Sequence, residues 1–189
     1  MIDDLVRKNR SYRRFHQDAP VSQDTLRSLV DLARLSASGA NRQPLKYILS
    51  SDPDTNARIF PNLAWAAYLN DWPGPEEGER PAAYIVILGD KTISQSFGCD
   101  HGIAAQSILL GATELGLGGC MIGSVRRAEL VEALGIGAEH EILLVLALGK
   151  PKEVVALDAV GPDGDVRYWR DSQAVHHVPK RSLDEIIIG

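Results

Sequence analysis

The chain has 189 residues, 44% of them apolar, with 20 Lys and Arg against 25 Asp and Glu for a net charge of −5. That length and apolar share predict one packed domain over residues 1–189 and exclude a disordered chain. The acidic balance argues against DNA or RNA as a main partner, since nonspecific affinity there comes from basic surface neutralising phosphates, but it leaves room for a local basic site that takes a small anion.

The first feature along the chain is Arg7-Lys8-Asn9-Arg10-Ser11-Tyr12-Arg13-Arg14-Phe15, five cations in eight residues. Such a cluster repels itself unless something anionic sits among it, so it is either a solvated helix end or a pocket for a phosphate-bearing ligand. Ser22 predicts a helix N-cap, followed by apolar positions Leu26, Leu29, Val30 and Ala33 on one helical face. Residues 36–44 break that pattern with small and polar side chains that let backbone approach a ligand, and residues 45–49 predict a short strand. Residues 56–69 are expected to be helical, and residues 71–81 form a loop rich in proline and glycine, of the kind that is either a lid or disordered. Trp65, Tyr68 and Trp72 either fill core there or line a substrate cavity.

Residues 82–88 are apolar throughout and predict a central strand. Residues 100–117 are apolar on nearly all sides, which predicts a buried helix capped by Asp100. A short strand over 119–123, a helix over 127–134 and a core strand over 141–148 follow, then a tight turn at residues 161–164. His176 and His177 have no evident carboxylate partner and read as surface residues of the tail. The run from Leu183 to Gly189 has no home in a compact monomer, which points to docking on a partner subunit. Cys99 and Cys120 lack CxxC spacing, so neither a disulfide scaffold nor a metal site is expected. The absence of a long apolar run and of a signal-peptide layout predicts a cytoplasmic protein without membrane contact.

Four strands mixed irregularly with helices favour an α+β sheet over a regular βαβ array. The Gly116-Leu117-Gly118-Gly119 run follows a helix and precedes a strand, the reverse of a dinucleotide fingerprint, so its glycines serve a helix end and a tight turn. Several segments together then resemble the FMN-dependent nitroreductase family. Arg10-Ser11-Tyr12-Arg13-Arg14-Phe15 is similar to its R-S-x-R-x-F signature, and residues 36–44 to its small-residue loop ending in N-x-Q-P. Asp100-His101-Gly102-Ile103-Ala104-Ala105-Gln106 resembles its D-x-G-I-A-x-Q helix start, residues 115–123 its G-L-G turn and flavin-edge strand, and residues 146–151 the core strand before its variable tail. Residues 52–81 and 154–175 are weakly anchored. The sequence departs from the pattern at Asn9, where many relatives carry a further arginine, and at Leu45, where an aromatic is common.

The resemblance implies a central mixed or antiparallel sheet flanked by helices, and a homodimer that exchanges C-terminal segments with the flavin at its interface. It implies FMN as cofactor, NADH or NADPH as reductant, and a small organic molecule as electron acceptor. FMN carries a phosphate at one end and, once reduced, negative charge at the pyrimidine end, so cations suit both ends. By resemblance, Arg10 and Ser11 bind phosphate or ribityl oxygens, Arg13 faces the pyrimidine edge, and Lys180 or Arg181 supplies a further phosphate cation. Asn41 and Gln43 reach the ring edge or ribityl chain, and backbone at Ile122 and Gly123 passes near flavin N5. Arg7, Lys8 and Arg14 keep the solvated-face reading, and no catalytic acid or base is assigned. Relatives of this fold also dehalogenate or dehydrogenate, and a module that stores or senses FMN without turnover is a further alternative.

Overall fold

The computed structural model describes all 189 residues, and its architecture follows from two strands with unbroken apolar runs, residues 83–88 and 142–148. In chain order the elements are α1 (Ile2–Lys8), β1 (Phe15–His16), α2 (Gln23–Leu35), β2 (Leu45–Ser50), α3 (Pro53–Ile59) and β3 (Ala83–Asp90). Then come α4 (Asp100–Glu114), β4 (Gly118–Ile122), α5 (Arg127–Leu134), β5 (His140–Pro151), β6 (Val155–Ala159), β7 (Trp169–Arg170), β8 (His176–Lys180) and α6 (Leu183–Ile186). Strand β5 is the spine, with β3 antiparallel on one side and β4 antiparallel on the other, while β2 flanks β3 and β1 pairs with the end of β5. The sheet is therefore antiparallel throughout, and the α+β expectation holds.

Alternation along β3 divides the core into two layers. Ala83, Ile85 and Ile87 face a layer with Leu26, Leu29 and Ala33 of α2 and Ala104, Ala105, Ile108 and Ala112 of α4. Tyr84, Val86 and Leu88 face the opposite layer with Ile59 of α3 and Leu130 of α5. Gly111 sets the closeness of α2 and α4, because a Cβ there would lie 2.3 Å from Leu32 Cδ1. Gly116, at φ 73°, takes the left-handed turn that ends α4 and lets the chain re-enter as β4.

Several expectations are corrected. The helix expected over 56–69 begins at Pro53 and stops at Ile59, because Pro61 cannot continue the backbone ladder. Asp100 is the first residue of α4, not its cap; its carboxylate accepts from Ser38 Oγ at 2.6 Å and from the Gly39 N–H at 2.9 Å, bracing the loop before β2. Helix α4 is buried along one side only, and Gly102, Ile103 and Gln106 are exposed. Beyond β5 the chain forms a second sheet in the order β6-β8-β7, with β6 and β8 parallel. The terminal run is open: Leu183, Ile186 and Ile187 are exposed and Ile188 is 98% accessible. No helix is long and apolar enough to cross a membrane.

Candidate functional site

The basic N-terminal run is stitched to the edge of β4. Ser11 forms a parallel bridge with Gly119, and the Tyr12 N–H donates to the Gly119 carbonyl at 3.0 Å. The second sheet closes over the same edge, so β4, the N-terminal run and β8 enclose a two-lobed cleft. One lobe, about 370 Å³, is lined by Arg10, Ser11 and Arg13 from the run, Met121 from β4, and Tyr168, His176 and Lys180 from the tail. The other, about 250 Å³, is walled by Ala64, Trp65, Ala66, Ala67, Ile122 and Gly123. Arg13, Met121 and Tyr168 line both lobes and join them.

The cations divide according to whether a carboxylate meets them. Arg7 pairs with Asp3 at 2.9 Å, and Arg14 donates through Nε and Nη2 to Glu79, the latter at 2.6 Å. In the tail, Arg167 pairs with Asp165 at 2.7 Å, Arg170 with Glu153 at 3.0 Å and Arg181 with Glu185 at 3.3 Å. The three that line the first lobe differ. The Arg10 guanidinium donates to the Val6 carbonyl at 2.6 Å, Arg13 to the Ser11 carbonyl at 3.3 Å and to His176, and Lys180 has no protein partner for its ammonium. Burial with no carboxylate to offset it lowers the Arg10 pKa, whereas the bond to Glu79 raises that of Arg14. Three cations without a carboxylate partner thus converge on one cleft, which is what an anion-binding site requires.

Arg13 sits at the centre of this arrangement. Its backbone N–H donates to buried Glu153, as does that of Arg14, so a carboxylate fixes the main chain while leaving the Arg13 side-chain charge free. The guanidinium carbon lies 4.7 Å from the centroid of the Tyr168 ring, a cation–π contact. Ile122 turns its side chain into the core and offers the second lobe its backbone. A Cβ at Gly123 would meet nothing within 4 Å, consistent with an open wall there.

Of the residues singled out by sequence, the structure brings Arg10, Ser11, Arg13, Ile122, Gly123 and Lys180 to one cleft. Arg181 is not among them; it points to Glu185 at the start of α6. Asn41 and Gln43 also lie apart, in an exposed loop where Ala40, Asn41 and Gln43 all hold φ between 51° and 53°. Such conformations cost of order 1 kcal/mol or more each and persist only when over-determined. Here Asp100 holds Ser38 and Gly39, and Ser38 Oγ accepts from the Gln43 N–H at 2.9 Å. Gln43 lines a separate cleft of about 170 Å³ with Tyr47 and Asp100.

Arg14 is no solvated cation: it binds a Glu79 side chain only 7% accessible, which Lys152 also reaches at 2.8 Å. Those two bases, Arg14 first, pull the Glu79 carboxyl down to about 2. The tail histidines are corrected too. His176 is 1% accessible and contacts Arg13, and burial, then Arg13 and Arg170, press its pKa down to about 4. His177 stacks on Trp169 and meets Asp158 at 2.8 Å and Asp171 at 3.4 Å, and its bond to Asp158 raises its pKa. Sequence reasoning missed Tyr168, Glu153 and His176, which come from the weakly anchored region beyond residue 152 or its border. Trp65 lines the second lobe, whereas Tyr68 packs on Tyr168 and Trp72 lies under Arg170.

The chain resembles known proteins in sequence and in fold. Residues 6–150 match the model of the Nitroreductase family. A protein of Archaeoglobus fulgidus, described as a candidate NADH dehydrogenase/NAD(P)H nitroreductase, is 26% identical over 148 residues, covering 74% of this chain and 80% of that one. The fold is shared with an FMN-dependent nitroreductase from Clostridium difficile R20291, at TM-score 0.65 and 23% identity over 80% of this chain and 88% of that one. It is shared as well with a nitroreductase-type protein from Exiguobacterium sibiricum solved in complex with FMN, at TM-score 0.67 and 18% identity over 80% of this chain and 89% of that one. With the family model matched over residues 6–150, more than half of the chain, the chain belongs to the Nitroreductase family.

Proposed function

We propose that the chain binds FMN in the two-lobed cleft and acts as an NAD(P)H oxidoreductase on small organic acceptors such as nitroaromatics or quinones. The observation that carries this reading is the convergence on one cleft of Arg10, Arg13 and Lys180, none of which has a carboxylate partner. A ligand anionic at two separated points would satisfy it. When bound, FMN supplies hydride chemistry at N5 between a nicotinamide and an acceptor.

The chain's own residues bind and orient. Arg10, Ser11 and Lys180 would hold the phosphate, with Lys180 favoured over Arg181 because Arg181 already has an acidic partner. Arg13 would meet the pyrimidine end, and the Ile122–Gly123 backbone would face N5 from the second lobe. Each hydrogen bond to a charged group contributes about 1.5–3 kcal/mol, so three or four decide whether the cofactor is retained. The alanine-lined wall of the second lobe suits a flat, uncharged acceptor. Asn41 and Gln43 would serve the cleft of a second copy in a homodimer, a reading supported by their strained, exposed loop, the uncovered side of α4 and the open apolar tail.

Purified protein incubated with FMN is expected to retain one flavin per chain, and its visible absorption to bleach anaerobically with NADH or NADPH and recover on adding a quinone or nitroaromatic. Protein that takes up no FMN contradicts the proposal. Bound FMN that neither nucleotide reduces favours a storage or sensing module instead.

A further inference from the structure

His176 reaches the cleft from β8, 163 positions along the chain from Arg13, and its Nε2 lies 3.0 Å from Arg13 Nη1. A guanidinium has five N–H donors and no acceptor. The contact therefore requires a lone pair on Nε2, which makes His176 a neutral imidazole with its proton on Nδ1. Its surroundings agree, since burial and the nearby Arg13 and Arg170 charges all disfavour the imidazolium. The resulting Nδ1–H is buried and has no acceptor in the chain.

The consequence falls on Arg13. Its Nη1 carries two hydrogens, and both are used, one by the Ser11 carbonyl at 3.3 Å and one by His176 at 3.0 Å. The Tyr168 ring, itself 5.2 Å from the His176 ring, covers the guanidinium at 4.7 Å. Arg13 Nε and Nη2 make no bond to the protein, and together they form the forked edge that suits bidentate recognition.

We propose that His176 is a positioning residue that holds Arg13 by Nη1, so that the Nε and Nη2 edge is turned to the cleft as a two-donor clamp for the pyrimidine end of the flavin. This rests on the FMN reading above. Anchoring one nitrogen removes rotamer freedom that ligand binding would otherwise have to quench, and the clamp favours the form of the ligand with more negative charge at that end.

Two measurements test it. In FMN-loaded protein, His176→Leu should reduce the preference for reduced over oxidised flavin about tenfold, a fall of about 30 mV in midpoint potential for a two-electron couple. His176→Gln, which keeps an acceptor near the Nε2 position, should stay near wild type, and His176→Leu added to Arg13→Ala should cause no further fall. A wild-type potential in His176→Leu with FMN bound, or an equal fall in the Arg13→Ala background, overturns the proposal. Independently, ¹⁵N NMR of histidine-labelled protein without flavin should show His176 at pH 7 as the neutral Nδ1–H tautomer; an Nε2–H tautomer or an imidazolium overturns it. Failure to bind FMN would count against the cofactor reading, while the tautomer still decides the bond to Arg13.

Discussion

Arg13 and Arg14 are neighbours with opposite electrostatic situations. Arg14 turns to Glu79, where its charge joins a mostly buried ion cluster with Lys152 and ties the N-terminal run to the loop before β3. Arg13 turns to the cleft, where its side chain meets a carbonyl, a neutral imidazole and an aromatic ring but no carboxylate. The same division separates Lys180 from Arg181. A charge run in sequence is thus two populations in space: Arg10 and Arg13 lack a compensating acid and line the cleft, whereas Arg7 and Arg14 are paired away from it.

The comparison can be broken most forcefully at Glu79. Glu79→Gln leaves Arg14 and Lys152 without their acid and is expected to cost about 3 kcal/mol of unfolding free energy in denaturant melts, with FMN affinity of the folded protein unchanged. Because the Glu79 carboxyl is depressed to about 2, the wild-type advantage is complete above the ordinary glutamate range and disappears as pH falls toward 2. Weakened FMN binding with intact stability would erase the distinction between the two arginines.

Arg13→Ala should do the reverse. Loss of one or two charge-assisted bonds predicts FMN binding about ten- to a hundredfold weaker, read by fluorescence titration, with a stability change smaller than that of Glu79→Gln. The smallest effect is expected at the two histidines of β8. The bond to Asp158 raises the His177 pKa, so its contribution to stability is present below the ordinary histidine range and is lost as pH rises through the raised value. The difference in Tm between wild type and His177→Gln should therefore shrink from pH 6 to pH 9. The depressed His176 has the opposite sign, its contribution being present above about 6.5 and lost as pH falls toward 4.

Much of the fold was legible because it depends on local pattern. Strands β3 and β5 are apolar at nearly every core position, α2 has one apolar stripe behind a serine cap, and Gly116 marks the end of α4. The second sheet was not legible, since β6 and β8 are half exposed and β8 contains Pro179, so neither alternation nor an apolar run marks them. In the site, Arg10, Ser11 and Arg13 stood out as a motif, whereas Glu153 and His176 matter through contacts 140 and 163 residues away. The role of Asp100 was misread for the same reason: an acid at the start of a helix suggests a cap, and only the tertiary structure brings Ser38 and Gly39 to it.

The proposed FMN phosphate site is where cations without acidic partners converge, with Lys180 as one of its members. Calorimetric titration of FMN and of riboflavin, which lacks the phosphate, into wild type and Lys180→Ala tests it most directly. Wild type is expected to bind FMN at least about tenfold more tightly than riboflavin, as one charge-assisted bond would give, and the variant to lose most of that preference while its affinity for riboflavin is unchanged. Equal affinities for the two flavins in wild type, or a preference undiminished in Lys180→Ala, would contradict it.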